Sequence, residues 1–112
     1  RIVEKGSNID LMMGLKNVEV ETAKLSDKKG NIIELLNFKN PRDNGDWIGT
    51  PYSNGLTHIA LTVDDLEDTI DKISKFKNVK PNIPVISPDG KVKVVYVRCI
   101  EGLLIEFVEE LQ

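Results

Sequence analysis

Apolar and polar positions along the chain follow two rhythms. In residues 17–25, "NVEVETAKL", Val18, Val20 and Thr22 alternate with Glu19, Glu21 and Ala23, the period-2 pattern of a half-buried strand. "SDKKGN" (26–31) is turn chemistry, so residues 31–38 predict a second strand in a hairpin with the first. "LTHIALTV" (56–63) predicts a third strand. A helix over 64–76 follows, with Leu66, Ile70, Ile73 and Phe76 on the stripe that packs against a sheet. Asp64 is its expected N-cap, and Glu67 the partner in a capping box.

Three prolines in "PNIPVISPDG" (81–90) limit any strand near 79–86 to a short or edge one. "KVKVVYVR" (91–98), a turn at Ile100-Glu101-Gly102 and "LLIEFVEE" (103–110) predict a closing hairpin. Toward the front, "RIVEK" (1–5) allows a short strand, and "SNIDLMMGL" (7–15) one or two helical turns ending at Gly14. Residues 40–55 are rich in Pro, Gly, Asn and Asp and read as a long loop between two modules.

The pattern is written twice. Gly30-Asn31-Ile32-Ile33-Glu34 and Gly102-Leu103-Leu104-Ile105-Glu106 match at an offset of 72 residues. The match extends backwards, with Val20, Thr22 and Leu25 shifting onto Val92, Val94 and Val97. The second copy (56–110) reads strand, helix, short strand, strand, strand. The first (1–40) has the closing strands, but its opening strand and helix have no counterpart, so an N-terminally incomplete first module is expected.

Composition narrows the field without choosing a function. The 112 residues suffice for one domain with a core, and 40% apolar with 29% charged residues is ordinary globular usage. A net charge of -3 with no basic run gives no footing for nucleic acid. No apolar stretch approaches the roughly 18 residues of a membrane span. The single Cys99 rules out an internal disulfide framework and fits a cytoplasmic location; it reads as a half-buried strand residue rather than a nucleophile.

Alternation then sorts the chemistry by face. Glu34 shares a face with Ile32, Leu36 and Phe38, Glu106 with Leu104 and Val108, and His58 with Ala60 and Thr62. The opposite set in that strand, Ile59, Leu61 and Val63, is more apolar and is expected to carry the helix. A carboxylate among aliphatics is costly unless it is solvated, paired, protonated or bound to metal. Two Glu and one His suit a divalent Zn, Ni, Co, Mn or Fe; the plain alternative is carboxylates on the solvent face of antiparallel strands. Tyr96 and Arg98 share a strand face with Val92 and Val94, where they could orient an anionic substrate, and Trp47 could cover the site.

Four segments together resemble the vicinal oxygen chelate superfamily of glyoxalases, epimerases, extradiol dioxygenases and bleomycin-resistance proteins. They are "NIDLMMGLKNVEVETAKL" (8–25), "GNIIELLNFKNP" (30–41), "GTPYSNGLTHIALTVDDLEDTIDKI" (49–73) and "VYVRCIEGLLIEFVEE" (95–110). The resemblance implies an α+β fold of paired βαβββ modules forming a cup of mixed sheet around a metal. It implies metal ligands at Glu34, His58 and Glu106, with the fourth in the segment the first module lacks. It implies a lyase, isomerase or epimerase that abstracts a proton next to a metal-chelated carbonyl, with Glu106 or Glu34 as base. A metal-free resistance protein that sequesters a small molecule is the alternative, a truncated member whose role is association the third reading, and an extradiol-type dioxygenase the less favoured enzyme. The expected partners are a small-molecule substrate and a second copy in a homodimer, of which a module-swapped form is one arrangement. Where the family has Asp-Pro before the final turn, this chain has Cys99-Ile100.

Overall fold

A computed structural model describes residues 1–112 as two compact units, Arg1–Asn44 and Gly45–Gln112, each described by itself. In the first unit β1 (Ile2–Lys5), α1 (Ser7–Met13), β2 (Glu19–Ser26) and β3 (Ile32–Asn40) follow in order. The strands form an antiparallel sheet in the order β1-β2-β3. The expected front strand and helix are both present, and Gly14 closes α1 in the left-handed conformation at φ 66°. The Asp10 carboxylate accepts from the Asn17 and Val18 backbone N–H groups (3.0 and 2.7 Å), tying the helix to the start of β2. Ile9, Val18 and Val20 are buried there, with Met13 and Phe38 against them. In the β2–β3 turn Asp27 accepts from the Lys29 and Asn31 N–H groups and from the Asn31 amide. These bonds, the Asn31 amide first, hold its carboxyl below the usual range.

The second unit contains β4 (His58–Val63), α2 (Leu66–Ile73), β5 (Lys80–Pro81), β6 (Val85–Ile86), β7 (Val92–Arg98), a 3-10 turn (Ile100–Gly102) and β8 (Leu104–Glu110). The sheet order is β4-β8-β7-β5, with β6 also on β7; β4 runs parallel to β8 and the other pairs are antiparallel. The prolines act as expected, since β5 and β6 are two residues each. Leu66, Val95 and Val97 form the buried core, with Val63, Ile70, Ile73 and Phe107 packed on it. The helix therefore lies on the face opposite His58.

Two local expectations about α2 are corrected. Its cap is Asp65, not Asp64, and accepts from the Asp68 N–H at 2.9 Å. Glu67 is thus one position too early for a capping box. The choice between adjacent Asp residues is made from outside the helix: Glu109 of β8 accepts the Leu66 N–H at 2.8 Å, so the helix starts where buried Leu66 packs. The helix also ends at Ile73, leaving Phe76 68% exposed and off the packed stripe. Asp65→Ala is expected to cost about 1 kcal/mol, while Asp64→Ala costs a few tenths at most, as read from denaturant midpoints. Equal losses would put the cap back at Asp64.

The 72-residue repeat holds in the pairing. Lys24 faces Glu34 as Tyr96 faces Glu106, Leu25 faces Ile33 as Val97 faces Ile105, and Thr22 faces Leu36 as Val94 faces Val108. The repeated glycines are turn residues at matching backbone angles, Gly30 at φ 88° and Gly102 at φ 83°. Covering is where the copies differ. Val97 is fully buried under α2, whereas its counterpart Leu25 is 55% exposed, and Leu35, counterpart of Phe107, is 51% exposed.

Candidate functional site

β4, β7 and β8 bring three of the singled-out side chains together in the second unit. Parallel register sets Ala60 beside Glu106, and antiparallel register sets Tyr96 opposite Glu106. His58 is one residue pair along the same face, as alternation predicts. Its Nε2 lies 3.3 Å from Glu106 Oε2 and 3.2 Å from the Tyr96 hydroxyl, and the two rings are tilted at a centroid distance of 4.9 Å. The His58 and Glu106 side chains are 25% and 21% exposed, so solvent screens the pair only in part.

The other ring nitrogen is also occupied. Thr57 Oγ1 lies 2.8 Å from His58 Nδ1 and, as a hydroxyl, serves either ring tautomer. Sequence reasoning missed Thr57, because alternation assigns it to the opposite face while its short side chain reaches the neighbouring ring. Tyr96 feels the surroundings most clearly. Burial, then the negative charge of Glu106 and a hydrogen bond to it, raise the phenol above its ordinary pKa.

Glu34 lies in the first unit, where its carboxylate stands 3.9 Å from Lys24 Nζ and is 46% exposed. Neither unit by itself gathers three or more His, Cys, Asp or Glu side chains in a group that could hold a metal ion. The donors of the second unit do fit two ligands of one ion. Donors about 2.1 Å from a metal at tetrahedral or octahedral angles are roughly 3.0–3.4 Å apart, and the His58–Glu106 separation of 3.3 Å lies in that range.

Arg98 and Trp47 meet at the end of the same sheet. The guanidinium lies 5.6 Å from the Trp47 ring centroid and donates to the Gly102 carbonyl at 2.9 Å. The Trp47 backbone N–H donates to the Glu101 carbonyl at 2.9 Å, so the loop carrying the indole is bound to the β7–β8 turn. A cavity of about 490 Å³ opens beside them. Cys99 is half-buried as expected, but it lies just past the end of β7, at the N-cap of the 3-10 turn, rather than within a strand; burial pushes its thiol up, and the thiol is directed at the Val97 carbonyl.

No helix is long and apolar enough to cross a membrane. No protein-family model matches the chain, and no curated protein does. Among solved structures, the crystal structure of a glyoxalase family protein from Bacillus cereus superposes with a TM-score of 0.85 at 26% identity. The match covers 98% of this chain and 74% of that one. The chain therefore has a glyoxalase-like α+β fold.

Proposed function

We propose that the chain is a metal-dependent enzyme of the vicinal oxygen chelate type, a lyase, isomerase or epimerase that moves a proton next to a carbonyl. The observation that carries this reading is the convergence of His58 Nε2 and Glu106 Oε2 at 3.3 Å on the sheet face opposite the helix. His58 and Glu106 would hold a divalent Zn, Ni, Co, Mn or Fe. The bound ion would polarise the substrate carbonyl and stabilise the oxyanion that develops.

The chain's own groups have separable parts. Glu106 takes the proton from the carbon beside the carbonyl and returns it. His58, steadied at Nδ1 by Thr57, keeps Nε2 aimed at the site. Tyr96, held neutral by burial and by Glu106, presents a hydroxyl there. Support beyond the site comes from the glyoxalase-like fold, and fold alone does not name a reaction.

Elemental analysis of the purified protein is the direct test. About one divalent ion per chain is expected in the wild type, and its loss in His58→Ala. No bound metal after incubation with Ni, Zn or Mn would overturn the proposal. Sedimentation of the same samples reads the homodimer that accompanies the proposal, for which the bare Leu25 and Leu35 face is the support; a monomer at all concentrations would remove it. A second reading, a metal-free protein that binds a small molecule, is favoured by the Lys24–Glu34 contact, which satisfies that carboxylate without an ion.

A further inference from the structure

We propose that the second unit carries a subsite for an organic anion, a carboxylate or phosphate on an apolar body, formed by Lys80 and Arg98 with Trp47 as its wall. β5 pairs with β7 so that Lys80 stands opposite Arg98. Directly opposed residues have Cβ atoms roughly 4.5–5.5 Å apart, and like charges so placed repel. No carboxylate comes within ion-pairing distance of either cation. Asp46 and Glu101 also line the cavity, but both are exposed and neither pairs with Lys80 or Arg98. An anion between the two cations removes the repulsion.

The geometry favours a ligand with an apolar part. Arg98 is held on two sides, by the Gly102 carbonyl and by the Trp47 ring, so its remaining N–H donors are presented at little entropic cost. Trp47, Ile48 and Ile100 supply apolar lining to the same cavity. Its volume of about 490 Å³ suits a small organic molecule. Arg98 is two residues from Tyr96 on one strand face, but His58, Tyr96 and Glu106 do not line the cavity, so the subsite does not require a metal at that pair.

Trp47 is the chain's single tryptophan, so its emission reports on the cavity. Chelator-treated protein is titrated with benzoate, phenyl phosphate and inorganic phosphate at constant ionic strength, with chloride as control. The expected result is a saturable change with at least one organic anion, weakened about tenfold in Lys80→Gln, the loss of one charge-assisted hydrogen bond. Lys80 makes no side-chain hydrogen bond or ion pair in the structure, so that variant leaves the Arg98–Gly102 contact and the fold in place. The tighter of benzoate and phenyl phosphate assigns the anionic group. A response equal to chloride's, or a Lys80→Gln titration superimposable on the wild type, would overturn the subsite. Inorganic phosphate binding as tightly as phenyl phosphate would overturn its apolar part. None of these readouts depends on metal or turnover, so they stand apart from the test of the catalytic proposal.

Discussion

Glu106→Gln is expected to lower turnover about 10²–10⁴-fold, the usual contribution of a positioned general base. The substrate for this measurement is whichever one the wild type converts in a screen of 2-oxoaldehyde hemithioacetals and acyl-CoA epimers. The amide keeps the shape of the side chain but can neither accept the proton nor carry the charge. The same variant has a second readout on Tyr96. In the wild type burial and Glu106 both raise the phenol's pKa. The neutral phenol therefore contributes stability at pH values below its ordinary ionisation near 10, and that contribution is lost as pH rises through the higher folded value. In Glu106→Gln the charge is gone while burial stays, so Tyr96 ionises at lower pH than in the wild type but still above its ordinary value. Phenolate absorbance, with Tyr96→Phe subtracted, reads the shift. An unchanged rate would remove Glu106 from the chemistry, and an unmoved Tyr96 titration would separate it from the phenol.

Gly102→Ala is expected to be strongly destabilising, and to cost clearly more than Gly30→Ala. Both glycines lie at positive φ, where any other residue pays about 1–2 kcal/mol. A Cβ on Gly30 meets nothing within 4 Å, whereas one on Gly102 would stand 1.8 Å from the Trp47 carbonyl oxygen. The contact is with backbone, so no rotamer change relieves it. Relief requires the Trp47 segment to move away, breaking its hydrogen bond to Glu101 and uncovering Arg98. Denaturant midpoints of the two variants give the comparison, and Trp47 emission shows whether the loop has lifted. Equal losses, with emission unchanged, would mean that the close approach at Gly102 carries no energetic weight.

Much of the fold was legible along the chain because its signals are local and periodic. Alternation in β2, β3, β4, β7 and β8 assigned side chains to faces, and the glycine spacing announced matching hairpins. The 72-residue offset implied two like hairpins, and the sheets pair them in matching register, Lys24 with Glu34 and Tyr96 with Glu106. Alternation set His58 on the face away from the helix, with Glu106 expected beside it; that Tyr96 shares this face follows from the β7–β8 register. It carried no information about Glu34 beyond its own strand, because alternation describes a face and says nothing about what stands across from it.

What escaped the sequence lies where distant segments meet. Adjacent Asp64 and Asp65 are equal caps by local chemistry, and only Glu109, 43 residues beyond Leu66, selects Asp65. Lys80 sits in a two-residue strand among prolines, too short for any period to show that it faces Arg98. Trp47 belongs to a loop with no regular pattern, and its place against Gly102 follows from a backbone hydrogen bond that any residue type can make. The sequence by itself determined the strands, their faces and the repeat, because these depend on the order of apolar and polar residues along one segment. The tertiary structure alone decided the helix start, the Lys80–Arg98 pairing and the Trp47 contact, because each depends on a partner that the local sequence does not specify.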